Sequence, residues 1–236
     1  MNPVSLYCFP YAGGNAWSYR PLAACCPPAL TVTGIELPGR GRRSREALCT
    51  SLEALADDCF AQLRPALVTG RYALFGHSMG ALLAYLCTLR IRQAGLPLPE
   101  ALILCGQAAP GLRQKTTRHL LPRSEFIQML HTLGGCPPKI LQDDDLLDYF
   151  EPILRADFQA IETWQPNQQE EALPVSMLVL RGTDEDLPIE NAMAWSRLTT
   201  GSFECRSLDG DHFFIQRHWP AIATLIVNKL GIQENA

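Results

Sequence analysis

Ser78 stands in Gly76-His77-Ser78-Met79-Gly80, between the apolar run Tyr72-Ala73-Leu74-Phe75 and the apolar stretch Ala81-Leu82-Leu83-Ala84-Tyr85-Leu86. That order predicts a strand, a sharp turn with serine at its apex, and a helix. Such an elbow lifts a hydroxyl clear of its surroundings, where it can act as a nucleophile. Glycines on either side let strand and helix cross closely. The backbone N–H of Met79 falls at the helix N-terminus and can face a developing oxyanion. A serine is a weak nucleophile by itself and needs a base and an orienting acid. Five histidines are available. His77 lies beside the nucleophile on the turn, so its ring points away from the hydroxyl. His119 and His131 fall in a segment without strands, and His218 falls in the last predicted helix. His212, in Gly210-Asp211-His212-Phe213, follows the last predicted strand, where a loop can drop the imidazole beside Ser78.

The acid is expected after the penultimate strand, in Gly182-Thr183-Asp184-Glu185-Asp186-Leu187-Pro188. Asp184 is favoured because it stands three residues before Leu187-Pro188. Asp186 is the rival and Glu185 the least favoured. Asp211 is set aside because adjacent side chains diverge. A second oxyanion donor is expected from Phe9-Pro10-Tyr11-Ala12-Gly13-Gly14, where glycines leave backbone N–H groups open to a substrate oxygen. Ala12 is taken as that donor, with Tyr11 as the alternative.

The elements that must position these groups can be read from hydropathy. Val4–Phe9, Thr31–Leu37, Tyr72–Phe75, Ala101–Gly106, Val175–Gly182 and Phe203–Leu208 read as strands. Those that are apolar throughout imply burial on both faces, and the helical patterns between the strands predict a mostly parallel, doubly wound sheet. Helical spacing runs over Leu52–Val68, and a closing helix over Phe214–Leu230. With the elbow and the order serine, acid, histidine along the chain, this pattern is that of an α/β-hydrolase. One domain over residues 1–236 is expected. From about 110 to 173 the rhythm breaks: Glu125–Leu133 and Asp144–Trp164 look helical, separated by Gly134-Gly135-Cys136-Pro137-Pro138. This insertion is read as a helical lid over the active-site face.

Bulk properties narrow the classes. The chain has 236 residues, a net charge of −4 and 47 % hydrophobic residues. No global basic excess points to nucleic acid. No apolar run reaches the length of a membrane span, and the N-terminal stretch has no signal-like basic and apolar regions. Nine cysteines occur without a C-x-x-C pair, mostly in apolar stretches. They fit buried thiols in a reducing compartment, so a cytoplasmic protein is expected. No metal or cofactor is expected.

Together the motifs resemble the stand-alone (type II) thioesterases of nonribosomal peptide and polyketide assembly lines. The matching stretches are Phe9-Pro10-Tyr11-Ala12-Gly13-Gly14, Leu37-Pro38-Gly39-Arg40-Gly41-Arg42, Phe75-Gly76-His77-Ser78-Met79-Gly80-Ala81, Leu154-Arg155-Ala156-Asp157-Phe158 and Gly210-Asp211-His212-Phe213-Phe214. They span nearly the whole chain. The resemblance implies hydrolysis of acyl or aminoacyl thioesters on the phosphopantetheine arm of a carrier protein, with Ser78, Asp184 and His212 as triad and the insertion as a mobile lid. A monomer is expected. Members of the family that the chain resembles usually carry G-x-x-D at the acid, whereas Asp184 is two residues after Gly182. A one-residue deletion reconciles this and leaves Asp186 a candidate. Two arginine-rich runs, Arg40/Arg42/Arg43/Arg45 and Arg113/Lys115/Arg118/Arg123, are either carrier-docking patches or solvated faces. A small-molecule carboxylesterase or acyl-CoA hydrolase on the same fold is the competing reading, because elbow and triad do not specify the leaving group.

Overall fold

The structure, a computed structural model, describes residues 3–67, 70–135, 142–167 and 171–233. Its centre is a six-stranded parallel sheet in the order β2-β1-β3-β4-β5-β6. The strands are β1 (Val4–Phe9), β2 (Leu30–Gly34), β3 (Arg71–His77), β4 (Ala101–Cys105), β5 (Ser176–Gly182) and β6 (Phe203–Leu208). The helices are α1 (Arg20–Cys25), α2 (Leu52–Leu63), α3 (Met79–Gln93), α4 (Arg123–Leu133), α5 (Asp144–Thr163), α6 (Ile189–Met193) and α7 (Trp219–Lys229).

Successive strand residues point to opposite faces, and both faces are covered. Leu74, Leu102, Leu104, Met177 and Val179 pack with α2 and α3 in one buried cluster. Their alternates Ala73, Phe75, Ile103, Leu178 and Leu180 pack with α1 and α7 in a second. A third cluster, Phe126, Leu130, Leu147, Leu154 and Phe158, joins α4 to α5. These helices lie within the 110–173 insertion. The break expected at Gly134-Gly135-Cys136-Pro137-Pro138 lies partly outside the described residues.

The chain runs from β1 outward to β2, returns across β1 to β3, then proceeds in one direction to β6. The reversal lies between β1 and β3, which pair from Val4↔Arg71 to Phe9↔Gly76. In open α/β sheets ligands bind at such a switch point, beyond the carboxyl ends of the strands. The segment after β1 is the glycine-bearing 10–14 loop, and the residue after β3 is Ser78.

Several element ends differ from the sequence expectation for local reasons. β2 stops at Gly34 instead of Leu37. Beyond it Glu36 turns inward and is buried, accepting the Ala16 N–H at 3.1 Å and the Arg42 N–H at 3.4 Å. α2 ends at Leu63, followed by a 3-10 turn over Arg64–Ala66 with Pro65 inside it. Proline clashes with the turn before it and cannot donate to the helix ladder. The closing helix is split into a 3-10 turn, Phe214–Arg217, and α7, which starts with Pro220 in its first turn. Proline there is pre-organised for a helix start.

Candidate active site

Ser78 is a non-glycine residue at positive φ, with φ 54° and ψ −118°, and is the only one among the described residues. Such a conformation is strained and persists because the surroundings over-determine it. The Ser78 N–H is held by the Cys105 carbonyl at 2.8 Å, and the Ser78 carbonyl accepts Ala81 N–H at 3.0 Å. The flanking glycines are required by close approach. A Cβ at Gly76 would lie 2.0 Å from the Gly80 carbonyl oxygen, and one at Gly80 would lie 2.1 Å from that of Phe9. The predicted elbow is thus present, with Met79 opening α3.

Ser78 and His212 line one cavity of about 760 Å³. His212 Nδ1 lies 2.5 Å from Glu185 Oε1, and the Glu185 side chain is 4 % exposed. The other carboxylate oxygen accepts the Gly182 N–H at 3.0 Å. Nδ1 being committed, Nε2 is the ring nitrogen left for Ser78. The carboxylate facing the histidine is therefore Glu185, and the expectation of Asp184 is corrected. The cause lies in the backbone. β5 and β6 pair as far as Gly182↔Leu208, and the pairing is prolonged by Thr183 N–H to Leu208 O and Asp184 N–H to Gly210 O, 2.8 and 2.9 Å. This extended run leaves the Asp184 side chain exposed, accepting the Thr183 hydroxyl at 3.2 Å, and turns the next residue inward. Asp186 is exposed and lines the cavity, with no hydrogen bond or ion pair to His212. Counted directly, Glu185 is three residues after Gly182. The G-x-x-acid spacing therefore holds without a deletion, with glutamate at that position.

His77 is fully buried, with neither ring nitrogen hydrogen-bonded. Its ring lies 4.8 Å from that of His212, 5.4 Å from Phe213 and 5.8 Å from Tyr11. Burial, with the His212 charge second, holds it well below the ordinary histidine value, so it is neutral. The remaining histidines lie elsewhere: His119 on Glu162, His131 exposed on α4, His218 on the Asp209 carbonyl.

In the loop after β1, Gly13 gives its N–H to Asp157 Oδ2 at 2.8 Å and Gly14 gives its own to the Tyr11 carbonyl at 2.8 Å. Both donors are spent, and Ala12, which lines the cavity, keeps its N–H out of either bond. Asp157 comes from α5, and its second partner is Arg40. The two form a bidentate pair at 2.6 and 2.7 Å, with side chains 0 % and 3 % exposed. Arg40 also donates to the Gly14 carbonyl at 3.3 Å. This bracing of the loop was missed. The residues stood in the matched motifs, but a contact across 117 positions leaves no local signal. Half of the first arginine run is consumed within the molecule: besides Arg40, Arg43 pairs with Asp58 and Glu46 at 2.6 and 2.5 Å, while Arg42 and Arg45 are exposed. Gln107 also went unnoticed; it lines the cavity, with its amide 3.5 Å from the Ser78 carbonyl.

Leu130, Leu133, Phe150, Leu154, Phe158 and Ile161 close the cavity from the insertion side. The space is apolar over much of its wall, with Ser78, His212 and Glu185 at one place in it. This can perform acyl transfer to serine. A model of the thioesterase domain matches residues 4–230. The chain belongs to the thioesterase domain family. It is 35 % identical over 230 residues to a probable cadicidin biosynthesis thioesterase of Streptomyces griseus, covering 96 % of this chain and 62 % of that protein. It thus spans less than two thirds of that relative. Among solved structures it is similar to RedJ, the thioesterase from the prodiginine pathway in Streptomyces coelicolor, with TM-score 0.90 and 33 % identity over 97 % of this chain and 86 % of that one. It is also similar to ClbQ from the colibactin NRPS/PKS pathway, with TM-score 0.90 and 27 % identity over 97 % of both chains. These are the neighbours expected of an α/β-hydrolase thioesterase of secondary-metabolite assembly.

Proposed function

We propose that this thioesterase hydrolyses acyl or aminoacyl thioesters from the phosphopantetheine arm of carrier proteins, clearing or off-loading intermediates of a nonribosomal peptide or polyketide assembly line. The observation that carries the reading is the convergence of Ser78, His212 and Glu185 on one apolar-walled cavity. Ser78 is the nucleophile and His212 the base. Glu185 holds the Nδ1–H tautomer and stabilises the imidazolium. Nε2 takes the hydroxyl proton as Oγ attacks the thioester carbonyl. The N–H groups of Met79 and Ala12 receive the oxyanion. The tetrahedral intermediate collapses, the C–S bond breaks, and His212 returns the proton to the departing thiol. His212 then deprotonates water, which attacks the acyl-serine and releases the acid and free Ser78. No cofactor takes part.

In this reading residues 1–236 form one α/β-hydrolase domain, and the 110–173 insertion is its lid. The chain works as a cytoplasmic monomer meeting a carrier protein. No helix among the described residues is long and apolar enough to cross a membrane.

The test is acid release from acyl-phosphopantetheinyl carrier proteins beside the matching acyl-CoAs, for wild type and Ser78→Ala. Faster hydrolysis on the carrier, lost in Ser78→Ala, is the expected result. Equal or faster turnover of free CoA esters moves the protein to the general acyl-CoA hydrolases. Activity retained by a folded Ser78→Ala variant removes the serine mechanism.

A further inference from the structure

The second arginine run divides in the structure. Arg123 faces outward and pairs with Asp148 at 2.6 Å and Glu151 at 3.0 Å, and Lys115 is exposed. Arg113 and Arg118 instead line the cavity that holds Ser78 and His212. Both come from the stretch between β4 and α4, and that stretch is fastened to α5. Glu162, its side chain 1 % exposed, accepts the Thr116 hydroxyl at 2.6 Å, the Arg118 N–H at 3.0 Å, the His119 N–H at 3.1 Å and His119 Nδ1 at 2.5 Å. Arg113 donates one N–H to the Ile161 carbonyl at 2.9 Å. The two guanidinium groups are therefore presented from a fixed backbone.

Their charge is not balanced. The Arg118 guanidinium has no hydrogen bond or ion pair among the described residues. Glu162 is one carboxylate near two arginines, and its lone pairs are already occupied by four donors. Burial is the main reason Arg113 is held below its ordinary value; the pull of Glu162 opposes it, and the Arg118 charge adds a smaller push in the same direction as burial. The other acidic groups on the cavity are Glu185, engaged by His212 and Gly182, and the exposed Asp186. Two like charges held beside an apolar cavity are unfavourable unless an anion joins them. Guanidinium forks match carboxylate and phosphate oxygens.

We infer that Arg113 and Arg118 form an anion subsite within the acyl-thioester cavity, which takes a phosphate or carboxylate carried by the substrate itself. The inference rests on the thioesterase reading for its substrate. Two parts of such a substrate can supply the anion: the phosphate of the pantetheine arm, or a carboxylate at the far end of the acyl chain. Since the subsite and Ser78 share one cavity, the anion and the reacting carbonyl belong to one molecule.

The experiment crosses the two sources. Butyryl and succinyl thioesters are made on pantetheine and on 4′-phosphopantetheine, and kcat/KM is measured for wild type, Arg118→Gln and Arg118→Lys. Amide analogues of the same four compounds are titrated by calorimetry against wild type and Arg118→Gln. Charge-assisted hydrogen bonds of this kind correspond to roughly tenfold or more in affinity. The expected result is about a tenfold wild-type preference for one anion-bearing series over its neutral counterpart. That ratio falls towards one in Arg118→Gln and is largely restored in Arg118→Lys, with unfolding midpoints near wild type. The series that shows the preference identifies the source. Ratios near one for both anions in wild type, or a preference unchanged in Arg118→Gln, overturn the subsite. If no thioester is hydrolysed but the analogues retain the Arg118-dependent preference, the thioesterase reading fails and the subsite stands.

Discussion

Glu185 sits between two aspartates, and the site depends on which of three adjacent carboxylates turns inward. Glu185→Gln keeps the shape of the side chain and removes the charge that fixes the His212 tautomer. We expect kcat to fall on the order of 10³ to 10⁴-fold, while Asp184→Asn stays within about twofold of wild type; steady-state kinetics on one acyl substrate separates the two. An equal loss in both variants would return the acid to the whole loop. Ser78 and His212 were legible because each is marked locally, by an elbow pattern and by a position after the last strand. The acid was not, because its orientation is set by Thr183 and Asp184 bonding across to Leu208 and Gly210. No composition rule shows which way a loop residue then faces. His77 makes a prediction about pH. It is buried and neutral in the fold, while in the unfolded chain it protonates near pH 6.5. The unfolded state binds more protons below that value, so stability rises with pH there. The contribution is present above about pH 6.5 and is lost as pH falls from there towards the lower folded-state value. Unfolding midpoints from pH 8 to 5 should decline in wild type, and part of that slope should vanish in His77→Asn. Parallel slopes would assign the acid sensitivity to other groups.

Among the elements, the strand cores and the longer helices were readable from hydropathy period, and β1 and β6 matched to the residue. The ends were less so. They were decided by Pro65 and Pro220 and by Glu36 satisfying the Ala16 and Arg42 N–H groups. The least legible feature is the Arg40–Asp157 pair, which ties α5 to the loop carrying Ala12. Removing one member of a buried pair leaves the other uncompensated, at a cost of about 3–5 kcal/mol. Asp157→Asn should therefore lower the denaturant midpoint markedly and reduce kcat. Replacing both residues, as Arg40→Met with Asp157→Leu, should recover much of the stability, since apolar substitutes for a buried ion pair are often neutral. It should not recover kcat, because the Gly13 N–H still lacks its acceptor. Recovery of both together would mean that the pair stabilises the fold without shaping the oxyanion loop.

At the scale of the whole molecule, the sheet presents β2 at one edge and β6 at the other. β6 carries Glu204 and Arg206 as an ion pair, and charges on an edge strand discourage edge-to-edge pairing. We expect a single species near 26.1 kDa in sedimentation at micromolar concentration; a concentration-dependent shift to twice that mass would contradict it. The strand reversal between β1 and β3 brings the loop after β1 beside Ser78, so one topological event assembles the proposed nucleophile and the proposed oxyanion donors. α5 adds a mechanical consequence. Its Leu154, Phe158 and Ile161 form part of the cavity roof, yet Asp157 fastens it to Arg40 and Gly13, and Trp164 at its end fastens to Glu53 of α2 through a 2.7 Å bond. A beam pinned at two points cannot swing without tearing out the pins, and one of those pins holds the catalytic loop in shape. An opening into this cavity that keeps those pins intact therefore has to move some other part of the wall, with α5 as the fixed jamb.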